Sequence, residues 1–71
     1  MKRKVIVKYL ASGRAKYPFK AMIIGDYFLI NSNADAQRAR SAALFFSKRN
    51  PPRVFKVRES GWNEWTCERV Q

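Results

Sequence analysis

The sequence contains no histidine and only one cysteine, Cys67. Without histidine there is no imidazole base, no Cys–His nucleophile pair and no imidazole metal ligand. A single cysteine can neither close an internal disulfide nor build a zinc site, and a lone thiol suits a reducing cytoplasm. Acids are scarce too: five Asp and Glu stand against fifteen Lys and Arg. They are scattered, with no pair placed for acid–base work. Gly13 and Gly25 are isolated, so there is no phosphate-cradling glycine loop. No apolar run approaches the ~20 residues of a membrane span. The stretch from Val5 to Leu10 is broken by Lys8, too short for a signal-peptide core. Repeats and low-complexity segments are also missing. These absences argue against an enzyme, a cofactor, a metal and a membrane partner.

What is present is positive charge on a chain rich enough in apolar residues to fold. The formal charge is +10 in 71 residues, the apolar fraction is 46% and ten residues are aromatic. A disordered basic arm would be poor in Phe, Trp and Tyr. The first twenty residues carry Lys2, Arg3, Lys4, Lys8, Arg14, Lys16 and Lys20 and no acid. Such a bias repels copies of the protein, favouring a monomer, and attracts a large negative partner.

The pattern predicts α+β architecture in the order β-β-α-β-β, with an antiparallel sheet of three or four strands and one helix across a face. Residues 4–10 read as a first strand, β-branched and ending before Ala11-Ser12-Gly13, and residues 12–18 as a mobile basic loop. Pro18 keeps Tyr17 extended, and Phe19, Met22, Ile23 and Ile24 supply apolar anchors. Gly25-Asp26 reads as a turn before a buried strand at 27–30. Ser32 with Asp35 forms a capping-box pattern, and Ala36, Ala39, Ala42, Ala43 and Phe46 make one apolar helical stripe. The helix must end near Asn50, before Pro51-Pro52. Two alternating runs, 53–58 and 62–70, flank Glu59-Ser60-Gly61 and predict a hairpin with its turn there. The chain is one domain over 1–71, divided into a basic N-terminal strand and loop (1–16) and a core β-α-β-β unit (17–71).

The candidate partner-binding residues are Lys2, Arg3, Lys4, Lys8, Arg14, Lys16, Arg38, Arg49 and Trp62. Each has a plain alternative. N-terminal lysines also blunt an edge strand, and Arg38, Arg40, Lys48 and Arg49 also make an ordinary solvated helix face. Lys56 and Arg58 fall opposite Phe55 and Val57, on an open sheet face if the helix covers the phenylalanine. Trp65, Tyr27 and Cys67 read as core, whereas Trp62, beside Gly61, is as well placed for contact as for packing. Reversing Lys2, Arg3 and Lys4 to Glu is expected to weaken partner binding without unfolding the domain.

The elements Tyr17-Pro18-Phe19, Met22, Gly25-Asp26-Tyr27-Phe28, Ala39-Arg40-Ser41-Ala42-Ala43, Phe55-Lys56-Val57-Arg58 and Trp65 resemble a pattern in small phage-encoded proteins. Within that set the chain is similar to regulators of Xanthomonas phages that bind host RNA polymerase. The resemblance covers residues 17–69 and consists mainly of core and turn positions. It implies docking near the β′ N-terminal region and the β flap, beside the RNA exit channel. It implies inhibition of initiation by sigma displacement, and passage through intrinsic terminators, in the cytoplasm of the bacterial host. Nascent RNA is a further contact on this reading. It carries over no individual contact residue. Two other expectations stand beside it: a small basic protein that binds DNA or RNA directly, and a phage structural or packaging accessory.

Overall fold

The computed structural model describes residues 2–9 and 15–71. It is an α+β fold with one helix and a four-stranded mixed sheet. The strands are β1 (Arg3–Lys4), β2 (Lys8–Tyr9), β3 (Ala15–Lys16), β4 (Asp26–Ile30), β5 (Phe55–Gly61) and β6 (Glu64–Arg69), and the helix is α1 (Asn33–Arg49). The main sheet runs β1-β4-β6-β5, and β2 and β3 form a separate two-stranded ladder.

The antiparallel expectation holds for β4, β6 and β5, but β1 joins parallel, with Arg3 opposite Asp26 and Lys4 opposite Tyr27. The expected single strand over 4–10 is divided. Its start pairs with β4, while Lys8 and Tyr9 pair antiparallel with Lys16 and Ala15. Lys16, expected in a loop, is therefore in a strand. The expectations for Leu10 through Arg14 lie outside the described residues. β-Propensity marks an extended backbone and says nothing about which strand it will pair with, so one β-branched run can serve two ladders.

The helix follows its signals. Ser32 Oγ accepts the Asp35 backbone N–H at 3.1 Å, Asp35 lies in the first turn, and Lys48 and Arg49 occupy the negative end. Asn50 closes it, its backbone N–H donating to the Phe46 carbonyl at 3.0 Å. Replacing Ser32 with alanine removes that cap and is expected to cost about 1 kcal/mol by urea titration. No change in the midpoint would mean that the cap contributes nothing.

Ala36, Ala39 and Ala43 are buried, so their side of α1 approaches the sheet closely. The facing side chains are Phe28, Ile30 and Cys67, closed at one end by Phe19 and Met22. Tyr17, Phe46, Phe55, Val57 and Trp65 pack around them, partly exposed. Trp65 therefore borders the core rather than filling it.

The hairpin turn differs from expectation. Gly61 pairs with Glu64, so the turn is Trp62-Asn63, and Glu59 to Gly61 belong to β5 with a register irregularity between them. Asn63 takes φ 53°. Asparagine tolerates this left-handed region better than most residues, which permits a turn at this position. The second positive φ is at Gly25, 94°, where its N–H donates to the Arg69 carbonyl at 2.9 Å. No helix among the described residues is long and apolar enough to cross a membrane.

Candidate partner-binding surfaces

The N-terminal cations, grouped together in the sequence, have separate roles. The Arg3 guanidinium donates to Asp26 Oδ2 at 2.8 Å. Asp26, expected in a turn, is the first residue of β4 and 1% exposed. It also accepts the Ile23 N–H at 3.1 Å. The Arg3 hydrogen bond holds the Asp26 carboxyl below the usual carboxylate range. Desolvation opposes this, and the Ile23 N–H and the charges of Arg3 and Arg69 reinforce it. Arg3 is thus a structural cation, and reversing it with Lys2 and Lys4 would confound docking with folding.

Lys2 Nζ pairs with Glu68 at 3.1 Å. Lys4 is exposed and forms no ion pair among the described residues. The β2–β3 register sets Lys8 opposite Lys16. Arg14 lies outside the described residues.

On the helix, Arg38 pairs with Asp35 at 3.3 Å, both well exposed; such pairs contribute little. Arg40 donates to the Val57 carbonyl at 3.3 Å and tethers α1 to β5. Arg49 stands 4.4 Å from the centre of the Phe45 ring, within cation–π range. Phe45 is 59% exposed and Leu44 60%. At 100° per residue, Ser41, Leu44, Phe45 and Lys48 lie opposite the alanine stripe. That geometry is present in the sequence, where Lys48 reads with Arg38, Arg40 and Arg49 as a set of helix cations able to track phosphates, but Leu44 and Phe45 are not among the candidates. Trp62, at the hairpin tip, is 96% exposed and so does not pack in the core.

Tyr27, expected in the core, is half-buried on the sheet face away from α1, because Phe28 and Ile30 take the inward positions. Lys56 and Arg58 occupy that same open face, as the alternation of β5 suggests. Cys67 does lie in the core, and burial pushes its thiol up to about 12, which leaves it neutral and unreactive in the folded state. Among the described residues no group of three His, Cys, Asp or Glu could hold a metal ion.

Three surfaces emerge: the helix stripe with Leu44 and Phe45, the hairpin tip with Trp62, and the open sheet face with its rim of cations. Comparison with known proteins finds no similarity on which to place them, since no family model, no curated protein and no solved structure matches this chain.

Proposed function

We propose that this chain is a phage-encoded transcription regulator that docks on host RNA polymerase in the bacterial cytoplasm. On this reading it seats near the β′ N-terminal region and the β flap, displaces sigma and so inhibits initiation, and promotes antitermination at the RNA exit channel. The observation that supports it is the outer stripe of α1, where Leu44 and Phe45 stand exposed among Lys48, Arg49 and Arg38. Large apolar groups interleaved with arginine are the anchors of protein interfaces. A surface that held only a phosphate backbone would need the cations without the apolar groups. The surplus positive charge raises the association rate with an acidic partner surface.

The test is capture of host polymerase by immobilised protein after nuclease treatment. Wild-type protein is expected to retain polymerase. The double variant Leu44→Ala/Phe45→Ala is expected to bind about 30-fold more weakly, on the order of 2 kcal/mol, with its thermal midpoint unchanged because both side chains are exposed. Loss of all capture from wild type on nuclease treatment would refute polymerase docking. Full capture by the double variant would refute the helix stripe as its seat.

A further inference from the structure

The sheet has one face that the helix does not cover. Inward positions are taken by Phe28, Ile30, Cys67 and Val57, which turns Tyr27, Leu29, Thr66, Glu68, Lys56 and Arg58 to the other side. Register arranges these in rows. Lys4, Tyr27, Glu68 and Lys56 lie side by side across all four strands, and Leu29, Thr66 and Arg58 form the next row. At the centre, Glu68 is 12% exposed in its side chain and is neutralised by Lys2 at 3.1 Å and Arg58 at 3.9 Å. Beside it, the Thr66 hydroxyl donates to Ser60 Oγ at 2.8 Å, and the Ser60 hydroxyl donates to Glu64 at 3.2 Å. Lys4 and Lys56 have no acid partner among the described residues. They occupy opposite rims of the first row, about 14 Å apart at three interstrand spacings.

We propose that this open face binds single-stranded RNA, with phosphates at the Lys4 and Lys56 rims and a base stacked on Tyr27. A sheet face accepts bases splayed out of a single strand, whereas a duplex presents grooves that require a protruding helix or ribbon. Cations at the edges with a ring between them form the usual platform for a single strand. The centre offers an acceptor: the Thr66 hydroxyl oxygen, its proton committed to Ser60, can take a hydrogen bond from a 2′-hydroxyl, which DNA lacks. An acidic polypeptide would instead meet Glu68 and Glu64 beneath its middle. The site is on the opposite side of the sheet from α1, so it does not rest on polymerase docking, and either can fail without the other.

The experiment is fluorescence anisotropy with a labelled mixed-sequence single-stranded RNA, titrated with the full chain from about 50 to 200 mM salt. Lys4→Gln/Lys56→Gln is expected to weaken binding about 10-fold and to reduce the salt slope by about 1.4, roughly 0.7 for each phosphate no longer neutralised. Lys48→Gln/Arg49→Gln removes the same charge from the helix and is expected to stay within about 2-fold of wild type. Both pairs are exposed, so both variants should keep the wild-type melting profile. Tyr27→Leu removes the stacking ring and is expected to weaken binding with no change in salt slope. An equal loss of affinity in the two double variants would reduce the effect to overall charge and overturn the site. Duplex RNA, single-stranded DNA or an acidic peptide binding the same face as tightly would overturn the choice of ligand, and no binding at the lowest salt would overturn both.

Discussion

Replacing Phe19 with alanine is expected to leave much of the protein unfolded at 37 °C. Phe19 belongs to no strand or helix; it sits in a turn where the Ala21 and Met22 N–H groups donate to the Pro18 carbonyl. Its ring nevertheless touches Tyr17 at 5.5 Å, Phe28 at 6.0 Å, Phe46 at 5.6 Å and Phe55 at 4.9 Å. Those partners come from the preceding loop, β4, α1 and β5, so one side chain bridges the helix and the sheet. It is 5% exposed. Truncating a buried phenylalanine costs about 3–5 kcal/mol, and a domain this small has a total stability at the low end of roughly 5–15 kcal/mol. Thermal and urea unfolding should show the midpoint falling by about 12 °C or more. Phe45→Ala, on the exposed side of the helix, should stay within about 0.5 kcal/mol of wild type. A Phe19→Ala protein that melts within about 1 kcal/mol of wild type would show that the ring bridges nothing.

The helix was legible residue by residue because its signals are local. Ser32, Asp35, the alanine spacing and Asn50 each act within one turn of their own position. The β4 strand and the existence of the hairpin were legible for the same reason. The hairpin turn was not. Ser60-Gly61 and Asn63 both permit a turn, and only the cross-strand register, with Val57 facing Cys67, decides between them. The N-terminal run failed for a non-local reason as well. Arg3 and Lys4 reach β4 in parallel over an intervening chain of more than twenty residues, and nothing in their own sequence names that partner.

Charge was legible as a total and not as a distribution. The +10 balance follows from composition, whereas the exposure of Trp62 follows only from the turn that the register selects. Nor does the division of the first three cations follow from composition. Lys2 neutralises Glu68, Arg3 anchors Asp26 and Lys4 stays unpaired only because β1 lies where it does. Leu44 and Phe45 were within reach of helical geometry, but a mostly alanine inner stripe contrasts weakly with them, and their role emerges only once the sheet occupies the other side. A segment that reads as separable from the fold is therefore tied to it by the β1–β4 ladder, by Val5 and Val7 packed on the core, and by the buried Asp26 carboxylate.

Asp26→Asn tests the charged part of that tie. One oxygen, Oδ2, accepts both the Arg3 guanidinium and the Ile23 N–H, so an amide oxygen in its place can keep both bonds and what the substitution removes is the charge facing Arg3. The Arg3 side chain is 65% exposed, so solvent screens the pair and the charge left behind stays hydrated; the thermal midpoint at pH 7 should fall by about 5 °C. The pH dependence gives a second readout with a definite sign. The carboxyl titrates near its ordinary value of 3.8 when unfolded and lower when folded. Above that ordinary value both states are ionised and the stabilisation is complete. As pH falls below it, the unfolded chain takes up a proton that the folded chain still refuses, and stability is lost until the folded carboxyl also protonates. Urea unfolding at pH 7, 4 and 3 should therefore show the gap between wild type and Asp26→Asn narrowing in the acid, while the gap stays constant between pH 5 and 8. A gap that persists unchanged to pH 3 would mean that the carboxylate charge is not what Arg3 holds. Arg3→Gln keeps the acid and removes the cation, so it should raise the pH at which acid unfolding begins. If Arg3→Gln instead unfolds at the wild-type pH, β1 is held by its ladder and by the packing of Val5 and Val7, and the Arg3 cation is free to serve a partner.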